Sequence, residues 1–208
     1  MLFRSLASMG IYIFNWKTLK QALIDNADQP NLDFGKHVIP YCHKNGAPMY
    51  AYEFNGYWKD VGTLTSYWEA NMELIDVVPE FNLYEEYWKI YTKSEILPPQ
   101  YVAKGGVIER SIVGEGSEIY GQVYNSVIGC GVTIGKDTVV RDSIIMNNTE
   151  IGASCELSKA IVAENTKIGD HVRLGVGEEA PNDTAPHIYC DGIVTVGEKS
   201  VVPANVSV

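Results

Sequence analysis

Few residues in this 208-residue sequence have types and spacings that could do chemistry. The four histidines do not converge. His37 and His43 lie six apart on a predicted helix, which is not a shared face, so they are not a ligand pair. His171 lies in the coil region among polar residues and His187 in a long polar stretch, where a lone imidazole is structural or solvated. Cys42, Cys130, Cys155 and Cys190 form no CxxC pair, and no His/Cys cluster has zinc spacing. No Walker-type phosphate loop occurs. Lys36 and Lys59 are cations that could touch a phosphate. Taken singly, the other polar residues of the first 63 have local structural readings. Ser8 suits a turn, Tyr12 a buried strand, Asp33 a helix N-cap and Asp60 a cap on the turn at Gly62. Trp58 suits a core or an interface.

Composition narrows the field. Hydrophobic residues make up 46%, enough for a real core. The formal net charge of −10 disfavours nucleic acid as a partner, because such binding needs a basic footprint. No run of 18 apolar residues is present, so no transmembrane helix is expected. The apolar start MLFRSLASMGIYIF reads as a buried strand rather than a signal peptide. The expected setting is cytoplasmic, with reduced thiols.

The elements that must position these residues follow in order. GIYIFN (10–15) alternates and is β-branched, which predicts a strand. Asn15 can cap a helix over 16–26 with Trp16, Leu19, Leu23 and Ile24 on one side. A second helix, 35–44, turns Val38, Ile39 and Cys42 inward and ends at Asn45-Gly46. PMYAYEFN (48–55) and GYWKDVG (56–62) predict two strands joined at Asn55-Gly56. Thr63 suits the N-cap of a helix over 64–76, with Leu64, Tyr67, Trp68, Asn71 and Leu74 in the periodic slots. Residues 77–106 hold no lasting period. They predict a strap between the two regions, packed through its aromatics and stiffened by Pro98-Pro99.

The second half is organised differently. Ile128, Ile134, Val140, Ile145, Ile151, Leu157, Val162, Ile168 and Leu174 are spaced 6, 6, 5, then 6, 6, 5, then 6, 6. A step of six advances about 240° round an α-helix and leaves any one face. In an extended chain six is even, so the face is kept. The words SVIGCG, SIIMNN and AIVAEN repeat on the same beat. This is the hexapeptide pattern of a parallel β-helix, three hexads to a coil. After Leu174 the pattern breaks at 175–192, which predicts an extruded loop, and Val196, Val202 and Val208 resume the step of six. With no capping segment after Val208 to cover an open sheet edge, the C-terminus is expected to be cut short.

ASMGIYIFN (7–15), DFGKHVIP (33–40), GYWKDVGT (56–63), YWEANMELI (67–75) and PEFNLYEEYWKIYT (79–92) resemble, in this order, the C-terminal half of glucose-1-phosphate adenylyltransferase, the ADP-glucose pyrophosphorylase of bacterial glycogen synthesis. The resemblance runs through nearly the whole chain from Leu6. It implies a partial α/β, Rossmann-like nucleotidyltransferase region followed by a left-handed parallel β-helix. The spans are 1–76, a strap over 77–106 and the β-helix over 107–208 with its loop at 175–192. It implies transfer of an adenylyl group from ATP to glucose 1-phosphate, with Mg²⁺ assistance and release of pyrophosphate. It also implies a homotetramer, or a hetero-oligomer with a paralogue, and neither nucleic acid nor membrane as a partner. By the same resemblance Ser8, Tyr12, Asp33, Phe34 and Trp58 match positions that hold glucose 1-phosphate. Asp60 matches the metal-binding aspartate, an oxygen ligand suited to a hard cation.

One departure is large. The family's Gly-rich nucleotide loop, its catalytic aspartate and its sugar-phosphate lysine have no counterpart upstream of ASMG. No catalytic residue is therefore assigned in this chain, and the chain alone is expected to be inactive, a fragment or a late-starting gene model. Two alternatives are a non-catalytic regulatory subunit and a hexapeptide acyltransferase. Intact DFGK and GYWKDVG speak against the first, and a coil region holding only His171 against the second.

Overall fold

The computed structural model describes residues 7–93, 96–176 and 187–208, with backbone alone for 187–190. The chain divides into two compact units, Met1–Trp58 and Lys59–Val208.

The first unit is helical. Helix α1 spans Trp16–Asp25 and is capped by Asn15, whose side chain accepts from the Lys17 N–H. A π-helical turn, Phe34–Val38, runs directly into α2, Ile39–Lys44. Ala22, Val38 and Cys42 are buried, with Phe14, Leu19, Leu23, Tyr41 and Ala47 packed round them. Val38 and Cys42 thus face inward as expected, whereas Trp16 and Ile24 are exposed and Ala22 supplies the contact face of α1. The strands predicted at 10–15, 48–55 and 56–62 do not form among the described residues. A strand exists only through the neighbour that takes its N–H and C=O groups, and no strand pairs with these segments among the described residues.

The second unit opens with α3, Leu64–Glu73. Its cap is the expected Thr63, reinforced by Ser66 in a reciprocal capping box. From Tyr101 the chain winds into a parallel β-solenoid of three sheets. The first sheet runs through β1 (Tyr101–Val102), β4 (Glu118–Ile119), β7 (Thr133–Ile134), β10 (Glu150–Ile151), β13 (Lys167–Ile168) and β17 (Val201–Val202). The second holds β2 (Val107–Glu109), β5 (Gln122–Tyr124), β8 (Val139–Arg141), β11 (Glu156–Ser158) and β14 (Arg173–Leu174). The third holds β3 (Ile112–Val113), β6 (Val127–Ile128), β9 (Ile144–Ile145), β12 (Ala160–Val162), β16 (Ile193–Val196) and β15 (His187–Cys190).

Register explains the repeat. Ile119, Ile134, Ile151, Ile168 and Val202 stack in the first sheet. Val123, Val140, Leu157 and Leu174 stack in the second. Ile128, Ile145, Val162 and Val196 stack in the third. All nine apolar positions of the sequence pattern are buried in this one core. The corners are built from residues in the left-handed region, stacked coil over coil: Asn125, Asp142 and Lys159 at one, Asp137, Ser154 and His171 at another. Asn and Asp adopt that conformation at low cost, which is why they punctuate the repeat. Buried Ser and Thr hydroxyls satisfy the corner backbone. The Ser126 hydroxyl donates to the Tyr124 carbonyl and accepts from Ser143 N–H, and the Ser143 hydroxyl does the same between Arg141 and Ala160.

Helix α3 lies on the outer face of the third sheet. Ile144, Ile161 and Ile193 are buried there against Tyr67, Trp68 and Met72. Residues 77–93 form neither helix nor strand, and the expected packing of the strap through its aromatics fails: Tyr84, Tyr87, Trp88 and Tyr91 are exposed. Without a period this stretch presents no single face, so it buries none against the prism. Its far end does dock, since the Pro98 carbonyl accepts from Gly116 N–H at 2.6 Å. Within 175–192, residues 177–186 lie outside the described residues, while 187–190 is a strand paired antiparallel to β16.

Candidate functional site

In the first unit the structure brings Ser8, Tyr12, Asp33 and Phe34 together at one surface. The Tyr12 and Phe34 rings stack at 6.0 Å with 9° between planes. Phe14 leans against both, at 6.2 Å from Tyr12 and 5.8 Å from Phe34. The Ser8 and Tyr12 hydroxyls share a hydrogen bond of 2.9 Å, and the Gly10 N–H donates to Ser8 Oγ at 3.2 Å, the turn expected of that serine. Tyr12 is half-buried at the rim of this cluster and lies in no strand, which corrects the buried-strand reading. Phe14 was not singled out from the sequence, although it stands two residues from Tyr12 and so shares its side of an extended segment.

Asp33 is the N-cap, as its local reading required: its Oδ1 accepts from Lys36 N–H at 2.7 Å. Its own N–H donates to Nδ1 of His37 at 3.0 Å. Its carbonyl accepts from His37 N–H at 2.9 Å and from Val38 N–H at 3.3 Å, the longer reach giving the turn its π character. An exposed carboxylate oxygen, two hydroxyls and a flat aromatic pair can together accept from and donate to a polyhydroxylated ring while covering its apolar face. Trp58 closes the first unit and is half-exposed, not a core aromatic.

Asp60 belongs to the second unit. Its Oδ1 accepts from Gly62 N–H at 3.0 Å, so the turn-capping reading holds. Asp60 itself is exposed. No group of three or more His, Cys, Asp and Glu stands together among the described residues. Magnesium is commonly held by one or two carboxylates plus substrate phosphates, so one exposed carboxylate fits a contributing ligand rather than a complete site. Lys59 is not a loose phosphate ligand. Its ammonium contacts Glu73 at 2.5 Å and Glu69 at 3.2 Å on α3, and the hydrogen bond to Glu73 raises its pKa. Lys36 is exposed. His171 is an exposed corner residue at φ 58°, a structural position rather than a catalytic base. Cys42, Cys130 and Cys155 are free thiols.

A helical unit with an aromatic and hydroxyl cluster, joined to a hexapeptide solenoid, defines a class. Residues 3–77 match the nucleotidyl transferase family, and residues 98–196 match the GlmU-like C-terminal hexapeptide family, which fits a left-handed β-helix. Within that class the chain is a relative of the glucose-1-phosphate adenylyltransferases. It is 64% identical over 204 residues to the protein of that name from Lachnospira eligens, covering 98% of this chain and 48% of the relative. It is 50% identical to that of Acetivibrio thermocellus, covering 96% and 47%. It is 51% identical to that of Thermotoga maritima, covering 96% and 48%. The chain spans about half the length of the curated relatives it matches. No helix among the described residues is long and apolar enough to cross a membrane.

Proposed function

We propose that this chain is the sugar-phosphate-gripping and β-helix portion of an enzyme that makes ADP-glucose from ATP and glucose 1-phosphate in glycogen synthesis. The observation that supports this most is identity of 50–64% running through 96–98% of the chain, across both the clustered surface and the solenoid. In this reading Ser8, Tyr12 and Asp33 hold the glucose hydroxyls and Phe34 lies against the ring, with Trp58 lining the same pocket. Asp60 supplies one oxygen ligand to Mg²⁺, which when bound neutralises charge on the phosphates. Such transfer depends mainly on position and electrostatics, so these residues act by holding the sugar phosphate in line for attack.

The β-helix serves assembly into a tetramer and regulation, in the cytoplasm. Its sheets offer flat faces with side chains in register, a form suited to subunit packing. The 208 residues hold no Gly-rich loop for the nucleotide phosphates, so the chain by itself makes no ADP-glucose. The test is an assay of the purified chain with ATP, glucose 1-phosphate and Mg²⁺, alongside a titration with glucose 1-phosphate alone. Saturable sugar-phosphate binding without turnover is the expected result. Robust ADP-glucose formation, or no binding, overturns it.

A further inference from the structure

We infer that His37 is a positioning residue for the glucose 1-phosphate grip; this rests on the reading above and adds to it a residue that the grip itself does not include. Asp33 and Phe34 are adjacent, exposed and face the ligand surface. What fixes them lies one turn further on. The Asp33 N–H ends on His37 Nδ1, the Asp33 carbonyl takes the N–H groups of His37 and Val38, and Asp33 Oδ1 takes the Lys36 N–H. Only Oδ2 of Asp33 is left without a partner among the described residues.

A reciprocal cap normally uses Glu or Gln three residues after the N-cap, reaching back to the N-cap N–H. Here that place is Lys36, whose ammonium has donors only and cannot accept. The π-helical turn over Phe34–Val38 brings the next residue round instead, and His37 supplies the acceptor. Nδ1 can accept only when it carries no hydrogen, so Nε2 carries it in the neutral ring. His37 is half-buried while Asp33 and Phe34 are exposed, so the anchor is more enclosed than the residues it holds. Losing the acceptor frees the chain as it approaches Phe34. The parallel stack with Tyr12 and the aim of Asp33 Oδ2 are lost with it.

The test compares His37→Asn, whose side-chain oxygen stands where Nδ1 stood, with His37→Leu, which has no acceptor. Glucose 1-phosphate is titrated into the ¹⁵N-labelled 208-residue chain and its two variants. One hydrogen bond corresponds to about three- to tenfold in affinity, so His37→Leu is expected to bind that much more weakly and His37→Asn within about twofold of the unsubstituted chain. Equal loss in both variants, or loss in neither, overturns the positioning role and leaves the grip intact. No binding by the unsubstituted chain overturns the grip, and the inference falls with it. Should His37→Leu fail to fold, the unsubstituted chain decides through the imidazole ¹⁵N shifts. An unprotonated Nδ1 with a protected Asp33 amide supports the assignment, and a protonated Nδ1 overturns it.

Discussion

The indole Nε1–H of Trp68 donates to the main-chain carbonyl of Asp142 at 2.7 Å. Seventy-four residues of sequence are closed by this bond, which pins α3 to a corner of the prism. Lys159 stands over the same indole at 5.5 Å, and Thr65 donates to Asp191 at 2.7 Å further along the helix. Trp68→Phe keeps most of the apolar contact with Ile144 and Ile161 but leaves the carbonyl unpaired. The expected cost is about 1 kcal/mol, read as a lower urea midpoint with an unchanged slope. An unaltered midpoint would mean that water replaces the indole without loss.

Stacked coils leave no room for a methyl group at some corners. A Cβ on Gly135 would stand 2.3 Å from the Gly152 carbonyl oxygen, whereas one on Gly197 meets nothing nearer than Ser200 Oγ at 3.6 Å. Gly135→Ala is expected to destabilise the second unit by about 1–3 kcal/mol. Gly197→Ala should stay within about 0.5 kcal/mol of the parent. Thermal or urea unfolding of the pair checks the contrast.

The Cys155 thiol is buried, and its desolvation raises its pKa, while its S–H points to the Gly169 carbonyl at 3.1 Å. The folded chain therefore keeps this proton where the unfolded chain releases it. The stability this contributes is fully present below the unfolded value of about 8.5 and is lost as pH rises toward the folded value. Urea midpoints measured from pH 8 to 9.5 should fall, and Cys155→Ala should flatten part of that fall. Alkylation should reach the half-buried Cys130 well before Cys155.

Asp60→Asn separates turn capping from metal binding, because the amide oxygen still accepts the Gly62 N–H. The chain can replace the aligned 204 residues of the Lachnospira eligens relative, giving a chimera to assay. With the turn preserved, Asp60→Asn should lower ADP-glucose formation by about a hundredfold or more, as expected for removing a metal ligand. Unchanged activity would take Asp60 out of the site.

The solenoid was legible because its period is enforced by stacking: each buried side chain touches the equivalent one above and below, so the spacing cannot drift. The caps at Asn15, Asp33 and Thr63 were legible because they depend on a few adjacent residues. The strands expected at 10–15 and 48–62 were not, since alternation says a segment can pair but not that a partner stands beside it. The seat of α3 was half-written. Ile144-Ile145 and Ile161-Val162 are apolar at both parities, the mark of a strand covered on two faces. The platform of Tyr12, Phe14 and Phe34 joins residues twenty apart and more, which no local pattern reports.

Strand β15 runs against β16 on the side away from β12. A further parallel coil would need that same row of backbone groups on the third wall, and it is already taken. The reversed strand thus works as a stopper. Along this wall no further coil can add in parallel to β16, and the edge strand among the described residues is the antiparallel β15, whereas on the first wall it is the parallel β17. The two walls of one prism end are therefore unequal toward any neighbour that meets them.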